Sequence, residues 1–343
     1  MKVCLVSYEY PPILGGEASY THGLALSLHR SGVDVTVLTS DRGSSNRDRE
    51  GIEVVRLGIS NRRPFKIASF QRASAFYLSR GTGDFDVVHQ TNDYFFPLPS
   101  RRPVDLVTLH HPYGAEERVV RGLLSQEEAS GYLKRRSMLY LRKMQSMAAR
   151  TVPRAIAVSR FTARELSREH AIPADRLDVL PNGILLEEFD GIEERDVARR
   201  SLGISSEHVL LHVGRLDHNK DIPSLLTAYT EVVGQFPDSR LLVVGSGPLG
   251  RRTEQAVASM ELGDRISLMG RVDGRALMRL YAASDLVVLS SLMEGFGIVL
   301  AEAMAARRPC VTTRCGATDE VVVEGRTGLL VSPMDPNGLA GAI

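Results

Sequence analysis

Two glutamates and two glycines lie close together in residues 294–302, which read EGFGIVLAE. The segment follows an apolar, strand-like run at 285–291, and the pattern predicts that a helix begins near Gly297. Glycines let a ligand approach the backbone, and the free N–H groups at a helix start favour phosphate. Glu294 and Glu302 can therefore contact different parts of one extended ligand, such as hydroxyls on two sugars. A surface loop before a capped helix is the plainer interpretation, but the carboxylates, glycines and strand–helix context together favour a ligand site.

A second group of candidate residues lies in residues 214–220, which read GRLDHNK and directly follow a strand-like run that ends at Val213. Arg215 and Lys220 can both project from this strand-end loop toward one anion. Arg offers bidentate contact and Lys a movable point charge, a pair suited to a diphosphate. Two solvated surface cations would be the favoured interpretation if this segment stood alone.

The third group is the loop between the first predicted strand and the first predicted helix, residues 8–17, which read YEYPPILGGE. Gly15 and Gly16 come just before the helix and can offer backbone amides to an anion. A Gly-Gly pair by itself indicates only a turn.

The elements that must position these loops follow one rhythm, in which apolar strand-like runs alternate with helical patterns, as is typical of parallel α/β layers. In the first half, strands are predicted at 2–7, 34–39, 52–57, 86–90, 104–109, 154–158 and 177–180, and helices near 17–31, 65–80, 126–150 and 160–170. In the second half, strands are predicted at 208–214, 240–245, 265–269, 285–290, 309–313 and 328–332, and helices near 221–235, 249–261, 273–283 and 297–306. Ligands of open α/β sheets bind beyond the carboxyl ends of the strands, so residues just after strands are the functional candidates.

The chain has 343 residues, which is comfortable for two domains. Pro181-Asn182-Gly183 breaks the pattern, so we predict domains over 1–183 and 184–343 with a cleft between them. The sequence stops soon after a helix start at 335–340, and we therefore expect a truncated or unusually short C-terminus.

The composition is that of a soluble globular protein, with 43% hydrophobic and 24% charged residues. The longest apolar runs are strand-length, and no basic segment precedes an apolar one at the start, which argues against a membrane span and a secretory signal. The three cysteines, Cys4, Cys310 and Cys315, are an odd number in or beside apolar strands, which indicates buried thiols rather than disulfides or a metal site. We therefore expect a cytoplasmic protein.

Charge is divided unevenly along the chain. Residues 1–183 carry 26 Lys and Arg against 19 Asp and Glu, a net +7, whereas residues 184–343 carry 16 against 22, a net −6. The first domain is expected to meet something anionic, but no aromatic-basic pattern points to nucleic acid. Seven Lys and Arg among apolar residues at 131–154 predict an amphipathic surface helix, with a peripheral face for anionic lipid at the inner side of the membrane as the alternative.

Three spaced motifs together resemble those of family 4 glycosyltransferases: Pro-Pro-x-x-Gly-Gly at 11–16, Gly-Arg-x-x-x-x-Lys at 214–220 and Glu-Gly-Phe-Gly-x-x-x-x-Glu at 294–302. The resemblance covers nearly the whole chain. It implies the GT-B fold, with two Rossmann-like doubly wound domains. It also implies retaining transfer of a sugar from a nucleotide-diphosphate sugar to an acceptor hydroxyl on a glycan or a lipid-linked molecule. The first domain would bind the acceptor and the second the nucleotide sugar.

The resemblance also implies a role for each motif residue. Arg215 and Lys220 would bind the donor diphosphate and stabilise the leaving group, assisted by Gly15 and Gly16. Glu294 would contact the transferred sugar and Glu302 the ribose. Backbone groups would complete the donor site, with the amides of Phe296, Gly297 and Ile298 covering the phosphate or sugar and the segment Gly270-Arg271-Val272 holding the base.

A histidine completes the predicted catalytic group. His110 ends the strand at 104–109, and similar enzymes place a histidine at such a position near the donor sugar. It is expected to orient the sugar or relay a proton, with His111 as the competing choice. The neighbouring strand end carries His89, Asn92 and Asp93, which are candidates for acceptor contact.

No metal or other cofactor is expected. In similar enzymes the acceptor hydroxyl attacks on the face from which the diphosphate leaves, and the leaving phosphate takes the proton. The protein then supplies placement and charge stabilisation. Asp84-Phe85-Asp86 has the Asp-x-Asp form that binds a divalent metal in the other major transferase fold, but it begins a strand and so lies at the wrong end for the cleft.

Other functions remain open as alternatives. Residues 245–250, GSGPLG, fit Gly-x-Gly-x-x-Gly, but no acidic residue at a strand end lies about 20 residues further on to hold a ribose, since Asp264 precedes a strand. We therefore interpret them as a tight turn lining the donor cleft rather than a dehydrogenase motif. The alternatives to transfer are a sugar-nucleotide epimerase or phosphorylase of the same fold, and a nucleotide-sugar-binding protein with little or no transfer activity.

Overall fold

The structure is a computed structural model that describes residues 1–11, 15–40, 47–48, 50–59, 66–80, 84–93, 102–123 and 137–343. Residues 12–14 of the first loop, the start of the helix predicted at 126–150 and the basic residues at 134–136 lie outside these ranges. The chain divides into two compact units, formed mainly by residues 1–184 and 185–343.

The first unit contains a seven-stranded parallel sheet. Its strands are β1 (Lys2–Val6), β2 (Asp34–Thr39), β3 (Glu53–Arg56), β4 (Val87–Gln90), β5 (Leu106–Leu109), β6 (Arg154–Ala157) and β7 (Leu177–Val179), in the order β3-β2-β1-β4-β5-β6-β7. Its described helices are α1 (Gly16–Arg30), α2 (Lys66–Ser79), α3 (Tyr113–Leu123), α4 (Ser137–Thr151) and α5 (Arg160–His170). All seven predicted strands are confirmed. Helix α3 was not predicted, because the Pro-Tyr-Gly at its start is typical of a turn, although a first helical turn tolerates proline.

The second unit contains a six-stranded parallel sheet. Its strands are β8 (His208–Val213), β9 (Ser239–Val244), β10 (Ile266–Gly270), β11 (Leu286–Leu289), β12 (Cys310–Thr313) and β13 (Gly328–Val331), in the order β10-β9-β8-β11-β12-β13. Its helices are α6 (Arg195–Ser201), α7 (Ile222–Gln235), α8 (Gly250–Ser259), α9 (Gly274–Ala283), α10 (Ile298–Ala305), α11 (Thr318–Val321) and α12 (Pro336–Ala342). The six strands were predicted, whereas α6 and α11 were not, because helices of one or two turns carry little periodic signal.

In both sheets the strand order reverses at the first strand of the unit. Strand β1 pairs with β2 on one side and β4 on the other, and β8 pairs in the same way with β9 and β11. We call the carboxyl ends of β1 and β4 the first switch point, and those of β8 and β11 the second switch point. Such positions are where open α/β sheets bind ligands.

Apolar side chains from the helices cover the sheets of both units. In the first unit, Phe70 of α2 packs with Val6 and Val88, and in the second, Leu225 of α7 and Leu339 of α12 share one cluster. Each fully buried side chain of this kind contributes about 1.5–3 kcal/mol. The three cysteines are buried and free, as predicted.

The described part of the basic helix at 131–154 packs as a surface helix. Met144 and Ala148 of α4 are buried, whereas Lys143 and Arg150 are exposed and Arg142 forms a 2.7 Å ion pair with Glu117. The apolar face is thus used inside the unit, and the structure gives no support to the lipid-binding alternative. None of the described helices combines the length and the apolar character that crossing a bilayer would require.

Candidate functional site

The two strongest sequence motifs meet at the second switch point, because the loop after β8 is hydrogen-bonded to the loop after β11. The Asn219 side-chain amide donates to the Met293 carbonyl at 2.7 Å, and the Ser290 hydroxyl donates to the Lys220 carbonyl at 2.7 Å. These bonds join backbone to side chain across the two loops. They fix the end of the first motif against the start of the second.

An ion pair between Lys220 and Glu294 occupies this junction. Lys220 Nζ donates to Glu294 Oε1, and the Ser291 hydroxyl donates to the same oxygen at 2.6 Å. Burial lowers the pKa of Lys220, but the carboxylates of Glu294 and Asp217 outweigh it, so the pKa lies above its usual value. The lysine is therefore charged, and with 18% of its side chain exposed it can still reach a second anion.

Arg215 stands in the same loop but is much more open. Its Nε lies 3.4 Å from Asp217 Oδ2, and 67% of the side chain is exposed. The guanidinium can thus turn toward an incoming anion without leaving a buried partner unpaired. The sequence-predicted cation pair is present, with one member anchored and one adjustable.

The Gly-x-Gly segment after β9 packs against the backbone of the β8 loop. A Cβ on Gly245, whose φ is +137°, would lie 1.8 Å from the Gly214 carbonyl oxygen, and one on Gly247 would lie 2.3 Å from that of Leu216. These glycines are needed for close backbone approach. This geometry agrees with our interpretation of the segment as a tight turn rather than a dinucleotide motif.

Gly316, after β12, supports the second motif and was not singled out in the sequence. Its φ is +57°, and a Cβ there would lie 2.0 Å from the Glu294 carbonyl oxygen, which accepts from the Ala317 N–H at 2.9 Å. The available signal was a glycine three residues beyond the end of the strand predicted at 309–313.

Glu302 projects from α10, which begins after Gly297 in the left-handed conformation (φ +86°). The Tyr281 hydroxyl donates to Glu302 Oε2 at 2.8 Å. Burial raises the pKa of Glu302 to about 7 although this hydrogen bond opposes the rise. The helix start at Phe296 and Ile298 is half-buried. Tyr281 was not predicted, because nothing in the sequence pairs α9 with α10.

The predicted base-binding segment lies at the same sheet edge. Gly270 ends β10 with φ +63°, and its carbonyl accepts from the Gly245 N–H at 2.7 Å. Val272 follows two residues later and is half-buried. Backbone hydrogen bonds thus connect the loop after β8 to the loop after β9, and the loop after β9 to the end of β10.

A buried histidine beneath this edge is a further residue that the sequence interpretation missed. His212 Nδ1 lies 3.0 Å from the Val288 carbonyl, so Nδ1 carries the proton, and Nε2 is buried without a hydrogen-bond partner. Burial lowers the pKa of His212 to about 4, with Lys220 acting in the same direction. The ring is therefore neutral. Its signal was a histidine inside an otherwise apolar strand.

His110 lies at the carboxyl end of β5 in the first unit. Its Nε2 is 3.0 Å from the Thr91 carbonyl, and its ring makes an edge contact with Tyr20 at a centroid distance of 4.8 Å. Because a carbonyl only accepts, the proton sits on Nε2. Burial, with His111 and His89 adding to it, lowers the pKa of His110 to about 3. A neutral ring suits hydrogen bonding better than proton relay.

The remaining predicted residues of the first unit lie on both edges of its sheet. Gly15 and Gly16 are exposed at the start of α1. His89 is buried and bonded to Thr108 at 2.8 Å, which argues against acceptor contact. Asp86 accepts from the Lys2 N–H at the amino end of β1, which agrees with the interpretation that the Asp-x-Asp segment lies at the wrong edge for a donor site.

Known proteins resemble the chain over both units. The family model described as Glycosyltransferase Family 4 matches residues 14–188, and the one described as Glycosyl transferases group 1 matches residues 207–343. The uncharacterized glycosyltransferase MJ1607 of Methanocaldococcus jannaschii is 29% identical over an alignment covering 100% of this chain and 88% of the relative.

Solved structures with the same two-sheet architecture support the fold. Sucrose-phosphate synthase from Thermosynechococcus elongatus aligns with a TM-score of 0.79 and 25% identity, over 99% of this chain and 88% of its own. HepE from Anabaena, solved in complex with UDP-glucose, aligns with a TM-score of 0.74 and 20% identity, over 99% and 88%. The fold is therefore of the GT-B type, as the motifs implied.

Proposed function

Because the chain belongs to glycosyltransferase family 4, we propose that it transfers a sugar, with retention of configuration, from a nucleotide-diphosphate sugar to an acceptor hydroxyl. The observation that carries the proposal is the Lys220–Glu294 pair at the second switch point, where a cation and a carboxylate are fixed side by side. The HepE complex with UDP-glucose, in a protein of the same fold, supports a nucleotide-sugar donor.

The diphosphate is assigned to the two cations of the β8 loop. Lys220 has three N–H donors, and its bond to Glu294 uses one of them, so the others can meet phosphate oxygens. Arg215, which is mostly exposed, can add a bidentate contact. Together they neutralise the charge that develops on the leaving group.

The sugar, ribose and base are assigned to neighbouring parts of the same edge. Glu294 accepts hydrogen bonds from hydroxyls of the transferred sugar. Glu302, which is held by Tyr281, accepts hydrogen bonds from those of the ribose. The backbone around Gly270 and Val272 lies beside the β9 loop and is assigned to the base. The amides at the start of α10, from Phe296, Gly297 and Ile298, complete the contacts, and Gly15 and Gly16 assist at the diphosphate.

The reaction then needs no metal at the diphosphate. The acceptor oxygen attacks the anomeric carbon on the face from which the diphosphate leaves, the carbon–phosphate oxygen bond breaks, and the leaving phosphate oxygen takes the acceptor proton. Arg215 and Lys220 carry the charge, and neutral His110 orients the sugar. The acceptor, a glycan or lipid-linked hydroxyl, is assigned to the basic first unit.

Thermal-shift screening against UDP-, GDP- and ADP-sugars in excess chelator tests the donor assignment. We expect at least one nucleotide sugar to raise the melting temperature, with no loss on chelation. If none does, the donor assignment fails. Nuclear magnetic resonance of the product anomer then tests retention, since an inverted product excludes it. Donor binding without hydrolysis or transfer would instead indicate a nucleotide-sugar-binding protein.

A further inference from the structure

A second cluster of chemistry-bearing side chains lies at the first switch point, and none of its three residues is assigned to the donor. Glu17 comes from the first turn of α1, Asp93 from the segment after β4, and His111 from the segment after β5. One ligand atom from each of the three residues lies within 4.8 Å of the others. Three different elements therefore converge on one small volume.

Asp93 is held so that one of its oxygens faces this volume. Its side chain is fully buried, and its Oδ1 accepts from the His110 N–H at 2.9 Å and from Gln145 Nε2 at 3.3 Å. The other oxygen, Oδ2, is buried without a hydrogen-bond partner. Outer hydrogen bonds of this kind are what orient metal-binding carboxylates.

Glu17 adds a second unsatisfied oxygen. Its Oε2 is buried and also lacks a hydrogen-bond partner. The backbone N–H of His111 and the hydroxyl of Tyr113 also act as donors toward the Asp93 carboxylate. Two adjacent buried carboxylates need a proton or a cation to balance their charge.

The ligand set favours a cation over a shared proton. Ions of the zinc type hold carboxylate oxygen and imidazole nitrogen at about 2.0–2.2 Å, so ligand atoms around one ion lie at most about 4.4 Å apart. The three ligand atoms, which all lie within 4.8 Å of one another, are close to that range. Carboxylates suit Mn²⁺ and imidazole suits Zn²⁺, so a mixed set selects this class over Ca²⁺ or Mg²⁺.

We propose that Glu17, Asp93 and His111 form a divalent-cation site of the Mn²⁺ or Zn²⁺ class at the first switch point. The ion ties the start of α1 to the ends of β4 and β5, next to His110. This site departs from the expectation that the protein needs no metal. It does not rest on the proposed function, because none of its three residues is assigned a contact with the donor and the ion can be titrated without any nucleotide.

Titration of the full chain with Mn²⁺ alone, after chelation and without any nucleotide, tests the site. The loss of the free-ion signal in electron paramagnetic resonance should report one Mn²⁺ per chain, and Zn²⁺ should displace it. Asp93→Asn and Glu17→Gln should each weaken binding by roughly tenfold or more. Two variants are used because either one alone could disturb folding, which circular dichroism of each checks.

Glu50→Gln is the matched control. Glu50 is exposed and belongs to a separate group with His22 and Asp48, which could bind ions adventitiously. The proposal predicts that this variant binds Mn²⁺ as the wild type does. It is overturned if the wild type binds no Mn²⁺ or Zn²⁺ at millimolar concentrations, or if folded Asp93→Asn and Glu17→Gln both bind as tightly as the wild type.

Discussion

The two switch points share one topology and differ in how they balance charge. At the second, the carboxylate of Glu294 is matched within the protein by Lys220. At the first, Glu17 Oε2 and Asp93 Oδ2 are buried and have no hydrogen-bond partner. At the second, the carboxylate is therefore balanced within the protein, and the remaining donors of Lys220 and the exposed Arg215 can meet an anion. At the first, the two buried carboxylates need a proton or a cation to balance them.

In our two proposals, equivalent positions of the two sheets bind ligands of opposite charge. The net charges of the two halves, +7 for residues 1–183 and −6 for residues 184–343, point the other way. The positions of individual charges therefore matter more than the net charge of each half, because a buried charge interacts far more strongly with its neighbours than exposed charges do at a distance.

The largest expected effect comes from breaking the balanced pair. Lys220→Ala leaves the Glu294 carboxylate buried without its cation, and removing one partner of a buried pair typically costs about 3–5 kcal/mol of unfolding free energy. Urea denaturation measures this loss. The double variant Lys220→Ala/Glu294→Ala should lose less than the two single variants added together, and strict additivity would contradict the pairing.

Substitution of a glycine at the contact between the β8 and β9 loops should have the next-largest effect on stability. Gly245→Ala forces a Cβ onto the Gly214 carbonyl, so we expect a loss of about 1–3 kcal/mol of unfolding free energy. Gly15→Ala at the first switch point meets only the movable end of Glu9 and should cost less. Gly234→Ala, within α7 and free of contacts, is the control and should be neutral or stabilising. Equal losses at Gly245 and Gly15 would remove this contrast.

At the first switch point we expect a substitution to raise the unfolding free energy rather than lower it. In chelator, Asp93→Asn keeps an oxygen for the His110 N–H and gives Glu17 an amide donor, so the unfolding free energy should rise by about 1–3 kcal/mol. The same carboxylate-to-amide change at Glu294, which loses its attraction to Lys220, should be destabilising. Loss of stability in both variants would show that the first site is balanced after all.

The smallest expected effect is a pH dependence at Glu302. Its pKa is raised to about 7, above the usual 4.5, so its contribution to stability is present below the lower value and is lost as pH rises through about 7. Glu302→Gln should remove this slope from urea denaturation. Affinity for the donor should run the other way, rising between about pH 6 and pH 8 in the wild type only, because the ionised carboxylate accepts stronger hydrogen bonds. A flat wild-type profile would contradict both expectations.

Much of the fold was predictable because strands of parallel sheets are buried on both faces and read as apolar runs. All thirteen predicted strands are present, and the loops carrying Arg215, Lys220 and Glu294 follow them as predicted. Short or turn-like helices such as α3, α6 and α11 were missed, because their signals resemble those of loops.

The contacts between loops were not predictable from one sequence. His212, Tyr281 and Gly316 act through partners that lie far away in the chain, and nothing in their local patterns indicates those partners. The same holds for Glu17 and Asp93, whose closeness depends on β1 and β4 being neighbours. The donor roles of the motif residues stay predictions until a ligand is bound.

Calorimetric titration of UDP, GDP and ADP into the chelated protein tests the central claim most directly. At least one diphosphate should bind with one-to-one stoichiometry, and Lys220→Ala should weaken it by about 1.5–3 kcal/mol, the usual loss for a charged hydrogen bond. Lys143→Ala, an exposed lysine of α4, and Asp93→Asn should bind as the wild type does. Unchanged binding by Lys220→Ala, or its loss in Asp93→Asn alone, would place the anion site elsewhere and contradict the assignment of the donor to the second switch point.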